Sequence, residues 1–223
     1  VLGLLFQSEL VVLTQGDYST RVGERKTVNF DDGSSAMLNT DSAIAVSMNG
    51  RQRMVELLKG EVYFEVKPDP SRPFIVQADH SKTRVLGTRF FVHEMADSDE
   101  IKVTSGRVEV TDWRARNPPL VLHDNEAVSI DAEGGGEIRS LDSVLTTSWT
   151  KGFLVYQDAS LESVINQIRR YRKGLVVYKD SSLRGLKING RINLREPADM
   201  LNVLGKTLSV KMTYMTDWLV IVG

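Results

Sequence analysis

Over the first 148 residues apolar and polar positions alternate in short runs broken by Gly, Asn, Asp and Pro. Residues 25–30, the turn Asp31-Asp32-Gly33-Ser34 and residues 35–38 read as strand, Asp-Gly turn and strand, because Asp-Gly suits a tight hairpin. The same period predicts strands over 44–48, 53–58, 61–66, 74–77, 83–86, 89–93, 101–104, 107–112, 120–122 and 127–131. Strands recurring roughly every ten residues indicate an all-β sandwich or coil, and no helix of ordinary length is predicted there. The triplet Gly134-Gly135-Gly136, flanked by Asp131, Glu133 and Glu137, reads as a flexible exposed turn.

From Trp149 onward the period changes. After a strand over 152–156, Asp158 or Ser160 can cap a helix in which Leu161, Val164, Ile165, Ile168 and Tyr171 share one face, and Gly174 stops it. Strands follow over 175–178 and 186–194, the second broken at Gly190. A second helix has Pro197 in its first turn and carries Met200, Leu201, Leu204 and Leu208. A hairpin of 210–214 and 218–222 turns at Met215-Thr216-Asp217, so the order is β-α-β-β-α-β-β. The fold class is therefore mainly β plus α+β, a scaffold of many short strands followed by a small domain of two βα units.

Charge divides the chain at the same place. Residues 1–148 carry 16 Lys and Arg against 23 Asp and Glu, net −7, whereas residues 149–223 carry 12 against 6, net +6. The expected organisation is a detached apolar stub over 1–15, an all-β domain over 16–145 and an α+β domain over 149–223, with different partners for the two domains. The whole chain has a net charge of −1, which argues against nucleic acid as a partner. No cysteine is present, so disulfides, thiolate metal sites and cysteine nucleophiles are excluded. No apolar run is long enough for a transmembrane helix, and nothing near Val1 reads as a signal peptide.

Catalytic chemistry finds no constellation. His80, His93 and His123 are scattered without metal-ligand spacing, no serine sits in a nucleophile elbow, and Gly134-Gly135-Gly136 precedes neither a Lys-Ser/Thr pair nor a helix. Asp97-Ser98-Asp99-Glu100 lacks the glycine and distal glutamate of a calcium loop and reads as a solvated hairpin tip. The expectation is no catalytic residue, no cofactor, no metal and no direct small-molecule ligand. What remains is a binding surface on the basic domain. Arg169 and Arg170 belong to a positive cluster at a helix C-terminus, Leu175, Val177 and Tyr178 form a short apolar strand, and Tyr214 and Trp218 flank the last turn.

Several blocks then carry a family resemblance. Gly23-Glu24-Arg25-Lys26-Thr27-Val28, Asp32-Gly33-Ser34, Leu38-Asn39-Thr40-Asp41-Ser42, the run from Val55 to Val66 around Lys59-Gly60-Glu61, Arg72-Pro73-Phe74, Val85-Leu86-Gly87-Thr88-Arg89-Phe90 and Thr104-Ser105-Gly106-Arg107-Val108-Glu109-Val110 resemble the FecR family of sigma-factor regulators. Trp149-x-x-Gly152, Leu154-x-Tyr156, Leu161, Arg170-Tyr171, Ile188-x-Gly190 and Leu201-x-x-Leu204 resemble the same family's C-terminal region and the short N-terminal module of secretins and TonB-dependent receptors, the STN domain.

The resemblance implies the soluble periplasmic part of a single-pass inner-membrane anti-sigma regulator. The implied partner is the periplasmic signalling domain of a TonB-dependent siderophore receptor, and the extracytoplasmic-function sigma factor is reached only through a cytoplasmic region absent from this sequence. The rival reading is an envelope module that binds glycan or peptidoglycan, with Trp113 and Trp149 as stacking platforms.

Overall fold

A computed structural model describes residues 16–50, 52–114, 116–196, 199–216 and 218–223. The backbone divides into two units, one built on Arg25–Ser143 and one on Val144–Gly223. The stub over 1–15 and Pro197 lie outside the described residues.

The first unit is all β. Its strands are β1 (Tyr18–Ser19), β2 (Lys26–Asn29), β3 (Ser35–Leu38), β4 (Ala43–Met48), β5 (Arg53–Glu65), β6 (Phe74–Gln77), β7 (Ser81–Val85), β8 (Arg89–Glu94), β9 (Ser98–Ser105), β10 (Val108–Asp112), β11 (Leu120–Leu122), β12 (Glu126–Asp131), β13 (Gly134–Gly135) and β14 (Arg139–Ser140). The two strands expected over 53–58 and 61–66 are one strand, β5, which belongs to two sheets. Its first half pairs with β4 and, in parallel, with β6, and its second half pairs with β3 and β8. Gly60 stands between the halves with φ 85°, where a Cβ would fall 2.7 Å from the Asp41 carbonyl oxygen and 2.8 Å from Ser42 Cα. Only glycine takes this conformation at so close an approach.

One sheet therefore runs β1-β4-β5-β6-β7-β10-β11 and the other β2-β3-β5-β8-β9-β12, with β13 and β14 along the outer edge of β12. Their inner faces share one core: Leu38, Ile44, Val55, Val62, Phe64, Phe74, Phe90, Val92, Ile101, Val103, Val108 and Leu122 are completely buried. Phe64 stacks on Phe90 at 5.2 Å between centroids and meets Phe74 edge-on at 5.8 Å. Each such side chain contributes about 1.5–3 kcal/mol when taken out of water, which makes this shared core the main favourable term for the unit.

Two loop expectations are corrected. Gly134 is buried and Gly134–Gly135 pairs with β12 while the Gly136 N–H bonds to the Ser129 carbonyl, so the triplet is a packed edge and not a flexible turn. Asp99 is not solvated: it is fully buried on the core face of β9, alternating with Ile101 and Val103.

The second unit holds α1 (Ser143–Thr147), β15 (Phe153–Ser160), α2 (Leu161–Arg169), β16 (Leu175–Tyr178), β17 (Lys187–Asn193), α3 (Met200–Leu208), β18 (Met212–Thr216) and β19 (Leu219–Val222). From β15 onward the element order is the expected one, and the pairing runs between the two βα segments. β15 pairs with β17 antiparallel, β16 pairs with β19 parallel, and β18 lies antiparallel on the other side of β19. Leu161, Val164, Ile165 and Ile168 of α2 and Met200, Leu201 and Leu204 of α3 are buried together with Val220 and Val222. Met215 and Thr216, expected in the last turn, are in β18, where the register shifts between Tyr214 and Thr216; Asp217 lies outside the described residues.

Candidate protein-docking surface

Helix α2 begins where Ser160 accepts a hydrogen bond from the Ser163 N–H, the capping role that serine fills better than Asp158 because Asp158 sits at φ 49° in the bulge of β15. The helix ends at Arg169, which is exposed, and Arg170 caps it. Cations at this end are favoured by the carbonyl ends of the helix, about 0.3–1 kcal/mol each. Arg184 pairs with Glu162 and Lys187 with Asp158, whereas Arg169, Lys173, Lys179, Lys206 and Lys211 form no ion pair among the described residues. The unit's positive charge is thus largely unspent at its surface.

The sheet β16-β19-β18 separates the expected surface residues into two groups. Leu175 and Val177 stand opposite Leu219 and Ile221 and share their face, and they are 58% and 48% exposed. Trp218, 62% exposed, adjoins them, since the Leu175 N–H donates to its carbonyl oxygen at 2.6 Å. Tyr178 and Tyr214 are in register with the buried Val222 and Val220 and so project to the helix side. There Tyr214 donates to Asn202 Oδ1 of α3 at 2.7 Å, and the Arg184 guanidinium lies 4.7 Å from the centre of the Tyr178 ring. Burial, with the nearby Glu162 carboxylate, pushes the Tyr178 phenol above its usual range. Arg169 belongs with this second group, because its charge acts on Tyr178. The basic cluster and the Leu175–Val177 face are different surfaces.

Both edges of this sheet present backbone groups. The Leu175 and Lys179 N–H groups bond to the Trp218 and Val222 carbonyls, so the amides of Val176 and Tyr178 point away from β19. Lys211 and Gly223 exchange both bonds, which leaves Met212 and Tyr214 pointing outward along β18. Unpaired edge amides beside apolar side chains are the chemistry of strand addition.

Other candidates fare differently. Trp149 is 3% exposed, so it cannot serve as a stacking platform, whereas Trp113 is 55% exposed in the β unit. Among the described residues no group of three or more His, Asp or Glu is placed to hold a metal ion. No helix of the described residues is long and apolar enough to cross a membrane. The edge groups escaped sequence reasoning because which amides point outward depends on pairing partners far along the chain.

With this geometry, comparison with known proteins is informative. The family described as FecR protein matches residues 16–109. Two crystal structures of a candidate anti-sigma factor from Parabacteroides distasonis have the same fold. One is 23% identical, with TM-score 0.73, covering 92% of this chain and 97% of the other. The second is 24% identical, with TM-score 0.72, covering 92% and 96%. No curated protein matches the sequence.

Proposed function

Residues 16–109 belong to the FecR family, and from that premise we propose that this chain is the periplasmic signalling region of a sigma-factor regulator, acting by binding and relay and not by catalysis. The FecR match carries the reading, and the anti-sigma description attached to the structures of the same fold supports it. Within it the acidic β unit is a rigid scaffold, and the basic unit, as an STN-like module, docks the periplasmic signalling domain of a TonB-dependent siderophore receptor. The relay ends at an extracytoplasmic-function sigma factor held by a cytoplasmic part of the full regulator. Docking uses either an edge of the β16-β19-β18 sheet with Leu175, Val177 and Trp218 beside it, or the Arg169–Arg170 end of α2 facing an acidic patch, with Tyr178 and Tyr214 adjoining.

Titration calorimetry of the whole chain, and of the chain truncated after residue 148, against the isolated signalling domain of the cognate receptor tests the reading. Binding by the whole chain and none by the truncated one is the expected result. Equal affinity for both removes the basic unit from the interface, and no heat from either removes the receptor as partner. Raising salt from about 0.05 to about 0.5 M weakens a charge-led contact severalfold and leaves strand addition nearly unchanged.

A further inference from the structure

The β unit carries an arrangement that docking does not use. Glu94 is the last residue of β8 and stands directly opposite Asp99 of β9. Both continue the core-facing rows of their strands, Phe90-Val92-Glu94 and Asp99-Ile101-Val103. Directly opposed residues of an antiparallel pair have their Cβ atoms about 4.5–5.5 Å apart, where two like charges destabilise the pairing. Asp99 is completely buried and anchors the other sheet: its Oδ2 accepts from the His80 N–H at 2.8 Å and from Ser81 Oγ at 2.7 Å, at the turn into β7. Its Oδ1 and Glu94 Oε2 are both buried and find no hydrogen-bond partner among the described residues.

Among the described residues no cation forms an ion pair with Glu94 or Asp99. Lys59 of β5 acts on Glu94 but is engaged by Asp41 at 2.6 Å, and Asp79, in the turn before β7, sets a further negative charge near Glu94. His80 supplies a partial counter-charge to Asp99, and the Gly60 N–H donates to Glu94. On the opposite face of the sheet Glu100 is paired with Lys102 and Arg139, so those cations are engaged elsewhere. Two buried acceptors side by side become a donor and an acceptor when one proton is added.

We propose that this end of the sandwich is a proton-gated joint: Glu94 and Asp99 hold one proton between them when the β8–β9 hairpin is packed on the start of β7, and releasing it loosens that packing. Burial, reinforced by Asp79 and Asp99, pushes the Glu94 carboxyl up to about 7, and burial also raises Asp99. The joint therefore changes state near neutral pH. A group whose folded pKa lies above its unfolded value favours the folded state while protonated, and that advantage disappears as pH rises through the folded value.

The test is a carboxyl-carbon NMR titration of the full chain, paired with urea unfolding from about pH 5.5 to about pH 8.5. Glu94 is expected to titrate near pH 7, and the unfolding constant to rise on the order of tenfold across the range after allowance for solvent screening. In Glu94→Gln, which imitates the protonated acid, that rise is reduced. Asp99→Asn should move the Glu94 midpoint downward. Glu94 titrating below about pH 5 in the wild-type chain overturns the proposal, as does an unchanged pH dependence in Glu94→Gln. The wild-type titration decides the matter if either variant fails to fold.

Discussion

Removing the Arg53 side chain, for example as Arg53→Met, should destabilise the β unit more than any surface change. Arg53 is 1% exposed at the start of β5, and its Nη1 lies 2.8 Å from Asp32 Oδ2 in the β2–β3 turn. The same guanidinium donates to the Arg72 carbonyl at 2.8 Å and the Lys67 carbonyl at 2.9 Å, so one side chain ties the loop between β5 and β6 to that turn. Burial alone would raise the Asp32 carboxyl, yet the Arg53 hydrogen bond, with those from Ser34, holds it below the usual carboxylate range. The variant leaves the buried carboxylate without its counter-ion, held only by the Ser34 hydrogen bonds, and takes the Arg53 donors from two carbonyls, a loss of about 3–5 kcal/mol. Asp32→Asn keeps the carbonyl bonds and should cost less. Hydrogen exchange of the β5 and β6 amides reports on this unit independently of the other, and their protection should fall by roughly two to four orders of magnitude. The wild-type contribution is present above about pH 4 and is lost on acidification through the lowered folded pKa. A fall in protection of less than about fivefold in Arg53→Met would refute the reasoning.

Gly60→Ala should cost at least about 2 kcal/mol in urea unfolding of the same unit, because it adds a side chain at φ 85° against the Asp41 carbonyl and Ser42; loss below about 0.5 kcal/mol would contradict that close approach. Ser160→Ala should cost about 1 kcal/mol, confined to the α+β unit, by leaving the Ser163 N–H uncapped; amide exchange in α2 checks it, and equal loosening of the β unit would contradict the assignment.

Much of this architecture was present in local pattern. Period-two alternation placed most strands of the β unit and period 3.6 placed the buried face of α2, whereas the choice of Ser160 over Asp158 as its cap came from the structure. The charge step near Trp149 belongs to the chain whatever its fold. Tertiary structure alone decided that residues 53–65 are one strand shared by two sheets, since a glycine between two apolar runs reads equally as a turn. Pairing across dozens of residues likewise separated Leu175 and Val177 from Tyr178 and Tyr214, and buried Trp149 while leaving Trp113 exposed. Asp99 shows the reason most directly. A run of Asp, Ser, Asp and Glu is polar by composition, but burial is set by which face of a strand meets the opposing sheet, and local sequence carries the period of that face without its partner.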